Sequence, residues 1–433
     1  MREMKDSGIE WIGEIPTDWE TRKIKQLADP NVENSFVDGD WIESPHIVDS
    51  GIRYLTTGNI GDGVFKEQGN GYITPKTFEE LACKYAFPGD LIISRLNTPY
   101  GRSCILPSNY AEYVVAVDNV ILRTQEDKRY ICYVSQCDGY KQTVADEAKG
   151  TTMKRISRTN LGNIVIPLPP VHQQHRIADY LDRKCSQIDA IIARQQEVIE
   201  KLKAYKLSVI TEAVTKGLNP NVPMKDSGVE WIGEIPEHWK IAKLKNYCHL
   251  KTGITPSTSN AEWFDGEVQW FTPGDFNESY QLAKSKRTLS INALESSVAV
   301  VAPVNTVMII GIGATAGKVG FSVVECSFNQ QITALLTNSV NPKFLMYWMI
   351  ANSKFLRETA LFTTLPILNN QTIGSYLLLC PENDTEEKQI ADYLDEKCNE
   401  LECTIAAKEK IISKLAEYKK ALIYEVVTGK REV

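Results

Sequence analysis

KDSGIEWIGEIPTDW, from Lys5 to Trp19, returns 220 positions later as KDSGVEWIGEIPEHW, from Lys225 to Trp239. Near-identity over such a stretch does not arise by chance, so the chain contains an internal repeat. Working outward, IADYLDRKC (Ile177 to Cys185) matches IADYLDEKC (Ile390 to Cys398) at an offset of 213, and this match stays in step for some forty residues. Between these anchors RYLTTGNI (Arg53 to Ile60) matches QWFTPGDF (Gln269 to Phe276), and Gly101-Arg102 matches Gly317-Lys318, both at an offset of 216. The copies are therefore whole-unit duplicates. Each has a similar lead-in, a divergent middle and a similar closing helix.

The repeat divides the chain into a lead-in segment (1–16), a first middle domain (17–168), a central long helix (170–215), a linker with the repeated lead-in (216–236), a second middle domain (237–382) and a C-terminal long helix (384–429). The middles carry β-branched runs bounded by Gly, Pro and Asn: Asp90 to Leu96, Tyr113 to Thr124 and Thr306 to Ile312. Such runs read as strands. Short helices are expected at Thr77 to Tyr85 and Pro342 to Arg357, which makes each middle a mixed α/β domain. Divergent middles in a common frame fit one kind of task performed on two different targets.

After Pro167, Pro169 and Pro170 the first helix runs from near Val171 to about Val214 without Pro or Gly. Its twin follows Asp384, and Glu387 three residues on suggests a capping box. A heptad seam is read through Leu181, Lys184, Ile188, Ile191, Gln195, Val198, Leu202, Tyr205 and Val209, and through Leu394, Lys397, Leu401, Thr404, Lys408, Ile411, Leu415, Tyr418 and Leu422. Forty helical residues make a rod of about 60 Å, too long to hide in one domain. Antiparallel pairing would set equivalent domains at opposite ends of a fixed spacer; the alternative is that each helix lies on its own domain. The predicted class is α+β: two tandem mixed α/β domains, each followed by a long helix, the helices pairing as an antiparallel coiled coil with pseudo-two-fold symmetry.

Hydrophobic residues make up 43% of the 433 positions, ample for two cores, while a net charge of -7 excludes a uniformly basic nucleic-acid coat. Any DNA contact must come from local clusters or a partner. Ten scattered cysteines and no signal-like start after Met1 suggest a reducing cytoplasm without disulfides. The apolar stretch from Val298 to Gly317 is broken by Pro303, Asn305 and Thr306, and reads as two strands and a turn rather than a membrane span.

Catalytic motifs fail on inspection. Asn97-Thr98-Pro99-Tyr100 has Thr where the amino-methyltransferase loop needs Pro, and no Gly-rich cofactor loop precedes it. Gly311 to Ala316 fits G-x-G-x-x-A but lacks the acidic ribose partner, and Gly317-Lys318 lacks two Walker A residues. His172 with His175, Cys132 with Cys137 and Cys398 with Cys403 lack the companions of a metal site.

Candidate DNA contacts are clearer. Lys149, Thr151, Thr152, Lys154, Arg155 and Arg158 place four cations in ten residues on a Gly- and Thr-rich segment, suited to phosphates. The second copy offers Lys251, Thr255, Ser257 and Thr258 in KTGITPSTSN, with Lys284, Lys286 and Arg287 beyond. Arg95, Asn97 and Arg102, with Lys318, Asn329, Gln330 and Gln331, are side-chain types that read guanine or adenine edges. For any one of them a solvated turn is the competing reading.

EWIGEIP before each middle, GTTMKRISRTNLGNIVIPLPP leading into the first helix, and TPGDF, IGATAGKVG and FNQQI in the second middle together resemble the specificity subunits of type I restriction-modification enzymes. That resemblance covers nearly the whole chain. It implies two target-recognition domains, each reading half of a bipartite double-stranded DNA site, with the helices as a ruler. It also implies two methyltransferase subunits acting on adenine N6, and restriction subunits in the full complex. No cofactor would be bound by this chain; S-adenosylmethionine, ATP and Mg would belong to the partners, in a prokaryotic cytoplasm with nucleoid association through DNA. Thr151, Thr152, Lys154, Arg155 and Ile156 fit the family segment that ends the first domain. The second copy has Thr363 and Thr364, but Pro366 and Ile367 replace Lys154 and Arg155. A self-sufficient methyltransferase or nuclease, and a duplicated protein-interaction module, are the competing functions.

Overall fold

The β-branched runs fold into short strands buried along their length, such as Leu91–Ser94, Asn119–Leu122 and Thr306–Ile310. Strands this apolar must be covered on both sides, and helices and a second sheet do so. The computed structural model describes residues 2–96, 98–150, 153–362 and 365–433. These form two units, Met1–Gln195 with Lys410–Val433, and Gln196–Glu409.

In the first unit an antiparallel sheet runs in the order Phe36–Asp38, Asn119–Leu122, Leu91–Ser94, Ser103–Ile105. A second sheet orders Tyr72–Ile73, Ile52–Leu55 and Tyr113–Val115, the last pair parallel. In the second unit His249–Thr252, Ile332–Leu336, Thr306–Ile310 and Val319–Ser322 repeat the first order, with Gln281–Leu282 added at the edge. Arg287–Leu289, Phe264–Phe271 and Cys326–Phe328 repeat the second, again with one parallel pair, and Val301–Ala302 is added. One topology thus recurs in both units despite divergent sequences. The apolar stretch from Val298 supplies Val301–Ala302 and Thr306–Ile310, and among the described residues no helix is long and apolar enough to cross a membrane.

The single helix expected at Thr77 to Tyr85 is Pro75–Glu80, and Pro342 to Arg357 is helical over Pro342–Glu358. Its counterpart in the first unit is broken into Lys128–Gln136 and Asp138–Asp146. Each lead-in is a hairpin, Met4–Ile9 with Gly13–Pro16 and Met224–Asp226 with Glu234–Pro236. Ile15, Trp19, Ile235 and Trp239 of the repeated motif are buried in the cores.

The long helices are Val171–Lys216 and Asp384–Val427, and the compact units do not follow the tandem repeat. The core of the first unit includes Leu422, Ile423, Val426 and Val427 from the end of the second helix. That of the second includes Ile210, Ala213 and Val214 from the end of the first. Each unit is therefore completed by chain that the repeat assigns to the other copy. Tyr130 fixes this in the first unit, its hydroxyl donating to the carbonyls of Pro167 and Val427 at 2.9 and 3.0 Å.

The helix starts are anchored alike. The Trp19 indole donates to Gln173 Oε1 at 2.9 Å, and Trp239 donates to Glu386 Oε1 at 3.1 Å. Gln174 Oε1 accepts the Asp127 amide at 2.9 Å, and Glu387 Oε2 accepts the Asn341 amide at 2.6 Å; Asp127 and Asn341 each cap the next helix of their own domain. The capping box expected at Asp384 and Glu387 is corrected accordingly. Asn383 caps, accepting from the Glu386 amide at 2.7 Å, because Glu387 is buried and turned toward the recognition domain.

The seam also needs correction. Leu181, Ile188, Gln195 and Leu202, with Leu394, Leu401, Lys408 and Leu415, are buried or half-buried, but Tyr205 is 59% and Tyr418 49% exposed. The intervening inward positions are Cys185, Ile192, Ile199 and Lys206, and Cys398, Ile405, Ile412 and Lys419. From Leu181 and Leu394 the next inward step is four residues, not three, which moves each alternate position by one. The shifted row is the more apolar one, and Ile191, Tyr205, Ile411 and Tyr418 are each exposed on their helix.

Candidate nucleic-acid interface

Two tight bends set the geometry. After Phe36–Asp38 the amide of Gly39 donates to Asn119 O at 2.9 Å and that of Asp40 to Val115 O at 2.8 Å. After His249–Thr252 the amide of Gly253 donates to Ile332 O at 3.1 Å and that of Ile254 to Phe328 O at 3.0 Å. A Cβ at Gly39 would lie 2.2 Å from the Val115 carbonyl oxygen, and one at Gly253 would lie 2.2 Å from that of Phe328. No side chain fits at either position, so the glycines lock the same crossing in both units. The crossing aligns Trp41 with Thr255, and the 115–119 turn with the 328–332 turn.

A second shared feature is the segment that closes each domain. Lys149 and Arg155 exchange backbone hydrogen bonds, and Arg155 bridges Leu96. Leu361 pairs with Ile367, and Ile367 bridges Ile312. Arg155 and Ile367 therefore hold the same place, as the sequence comparison of the two copies indicated. Thr151, Thr152, Asn97, Thr363 and Thr364 lie outside the described residues.

In the first unit Lys149, Lys154 and Arg155 are exposed and Arg158 is half-exposed. Arg155 contacts Asp118 at 3.4 Å and Arg158 contacts Asp38 at 3.5 Å, which draws the basic segment onto the bend and the 115–119 turn. These partial, solvent-facing pairs leave guanidinium donors available to phosphates. Arg95 does not belong to this surface. It is buried, donating to Ile156 O at 3.1 Å and Val117 O at 2.6 Å and pairing with Asp38 at 3.2 Å, so it latches three segments from within.

Arg102 and Lys318 are likewise corrected to structural roles. Buried Arg102 donates to Ile60 O at 2.5 Å and Thr57 O at 2.8 Å, and burial lowers its pKa from the ordinary value. Lys318 Nζ donates to Phe276 O at 2.9 Å. Ile60 and Phe276 end the two matched RYLTTGNI and QWFTPGDF segments, so both cations secure one turn in its two copies. Sequence alone cannot separate a cation spent on a carbonyl from one facing solvent.

In the second unit Thr255, Ser257, Thr258 and Gln330 come together beside the bend, with Thr255 hydrogen-bonded to Gln330 and Ser257 to Ser259. Asn329 is buried and folds onto Gln331, accepting its amide at 3.1 Å, so it shapes the turn rather than facing outward. Lys251 is half-buried on its strand. Arg287 stacks over Phe264 and Trp270 at 4.6 and 5.2 Å, and the Trp270 indole donates to Ile254 O at 3.3 Å, tying this cation to the bend. Lys284 is exposed, and Lys286 donates to Gly274 O at 2.9 Å.

Sequence reasoning missed Trp41, Asp38, Asp118 and the two locking glycines. The signal for the glycines was a Gly placed directly after a strand run in both VDGDW and KTGIT. His175 Nδ1 lies 2.7 Å from Asp127, nine cysteines are buried and Cys403 is exposed, and all ten are free. Among the described residues no group of three or more His, Cys, Asp or Glu side chains is placed to hold a metal ion.

The chain is similar to known proteins in sequence and in fold. Residues 16–201 and 236–412 match the type I restriction modification DNA specificity domain. The putative type I restriction enzyme MjaX specificity subunit of Methanocaldococcus jannaschii is 28% identical over 260 residues, which is 58% of this chain and 57% of that protein. The EcoBI specificity subunit of Escherichia coli is 25% identical over 173 residues, 39% of this chain and 35% of that one. Matched stretches thus span little more than half of these relatives, or less. In fold the chain is similar to a solved chain described under complex assembly and conformational transition of the type I R-M system, with a TM-score of 0.74 at 15% identity, covering 96% of this chain and 99% of that one. It is also similar to the HsdS subunit from Thermoanaerobacter tengcongensis, with a TM-score of 0.52 at 16% identity and coverage of 96% and 98%. With both middles and the greater part of each long helix falling inside the matched regions, the chain belongs to the type I restriction-modification DNA specificity family.

Proposed function

We propose that this chain is the non-catalytic specificity and scaffold subunit of a type I restriction-modification enzyme, each unit reading one half of a bipartite duplex site. The observation that carries the reading is one frame bearing two chemistries: Trp41 where the other unit has Thr255, and Arg155 where it has Ile367, on the same crossing and the same closing segment. A shared frame with different outward side chains fits two different DNA words.

The long helices act as an antiparallel coiled coil that fixes the spacing of the half-sites. Support comes from the inward rows with steps of four and three residues, and from matched ion pairs, Lys206 with Glu402 in one unit and Lys419 with Asp189 in the other. The exposed apolar side chains Ile191 and Tyr205 on the first helix, and Ile411 and Tyr418 on the second, dock two modification subunits. Those subunits supply adenine-N6 methyl transfer from S-adenosylmethionine, and restriction subunits supply ATP- and Mg-dependent cleavage, in a prokaryotic cytoplasm. Sharing the clamp on DNA with partners accommodates the net charge of -7.

The test is to purify the chain alone and with modification subunits, and to measure methylation and salt-dependent binding of duplex DNA. Methylation and sequence-specific binding are expected only from the complex. Methyl transfer by the isolated chain, or no specific DNA binding with any partner, overturns the proposal.

A further inference from the structure

We propose that the Trp41 indole contacts the bases of the first half-site and helps set its identity; this rests on the specificity reading above. Trp41 is 70% exposed, which is unusual for the largest apolar side chain. A loose loop does not explain it, because both neighbours are fixed. Asp40 is buried, its amide donating to Val115 O at 2.8 Å and its carboxylate accepting the Lys84 amide at 2.7 Å. Ile42 is buried in the cluster with Tyr54, Ile73, Cys83 and Val114. Gly39 then sets the crossing from which the chain emerges, with no room for any Cβ. The backbone is held and the indole is presented.

Its surroundings say what it is presented to. Asp38, three residues before Trp41, pairs with Arg95 and Arg158, and Asp118 on the adjoining turn pairs with Arg155. Asp38, Asp40 and Asp118 are thus matched by cations, and Lys149 and Lys154 add positive charge on the same closing segment as Arg155. An exposed aromatic ring on a bend whose flanking acids hold Arg158 and Arg155 suits a polyanion that also offers an apolar group such as a thymine methyl in the major groove, which is nucleic acid. The second unit supplies an independent argument. The same crossing there presents Thr255, hydrogen-bonded to Gln330, both small polar readers of base edges. An indole at that place packs on a thymine methyl group instead, so the two units read different words at equivalent positions.

The experiment uses the full chain in complex with its modification subunits. The methylation map of cells carrying the wild-type complex defines the bipartite site, and duplexes are made with that site or with either half scrambled. Trp41→Ala is expected to bind the intact site at least about tenfold more weakly, the scale of one lost base contact. Binding to the duplex with a scrambled first half should be unchanged, as should the slope of affinity against salt, since no phosphate contact is removed. Trp41→Phe should keep most of the discrimination, and Thr255→Ala should weaken discrimination at the second half only. Unaltered discrimination by Trp41→Ala overturns the inference, as does loss of co-elution with the modification subunits, which reassigns the ring to a protein contact. A wild-type complex with no sequence preference overturns the specificity reading itself, and this inference with it.

Discussion

Lys206 of the first long helix reaches Glu402 of the second, with Nζ and Oε1 2.5 Å apart, while its ammonium lies 5.0 Å from the centre of the Tyr280 ring. The equivalent pair in the other unit is Lys419 with Asp189 at 2.7 Å. Lys206 is nearly buried and Glu402 is not, so removing the acid strands a cation. Glu402→Gln should therefore destabilise more than Lys206→Met, by about 1–3 kcal/mol. Asp189 is more than half exposed, and Asp189→Asn should cost less than about 1 kcal/mol. Denaturant titration of the three variants checks the order; equal effects would contradict it.

The exchanged helix ends predict non-local damage. Ile423 is buried among residues of the first unit, and Ile210 among those of the second. Ile423→Ala should cost about 2–5 kcal/mol and lower amide-exchange protection in strands such as Leu91–Ser94, more than two hundred positions away in sequence. Ile210→Ala should act on Thr306–Ile310 instead. Loss of protection confined to residues next to each substitution would argue that the ends are not part of these cores.

Glu387 carries a pH prediction. Burial raises its pKa from the ordinary value, against the opposing hydrogen bond from the Asn341 amide. Between the unfolded and the higher folded value the native state holds a proton that the unfolded state has released, so stability falls as pH rises through that window. The first unit uses neutral Gln174 at the equivalent place. Glu387→Gln keeps the acceptor and removes the buried charge, and should raise the melting temperature at neutral pH by an amount worth up to about 1 kcal/mol while flattening this pH dependence. A lower melting temperature at neutral pH would contradict the account.

If the helices are a ruler, inserting seven residues into each lengthens it by about 10 Å, close to three base pairs of duplex. Mapped methylation sites should keep both half-site sequences and gain a longer spacer. An unchanged spacer refutes the ruler.

Much of the architecture was legible because repetition is a long-range signal that survives divergence. EWIGEIP and IADYLD mark both copies, and β-branched runs such as Thr306 to Ile310 mark strands. The exchange of helix ends was not legible, because Ile210 and Ile423 look like any apolar helical residue and only the fold shows what they pack against. The seam slipped by one at alternate positions because Tyr205 and Tyr418 are apolar in composition but exposed in fact, whereas Lys206 and Lys419 face inward. At the candidate interface, cations were found by type and not by employment. Arg155 faces solvent, but Arg95, Arg102 and Lys318 hold carbonyls. Trp41 escaped notice because an aromatic residue after a strand reads as core until its burial is known.

The most direct test of the central claim is to exchange residues Thr17 to Pro167 for the corresponding domain of another family member and to map methylated sites in cells expressing the chimaera with its modification subunits. One half of the bipartite site is predicted to change while the other half keeps its sequence. A change in both halves, or in neither, would contradict the assignment of one half-site to each recognition domain.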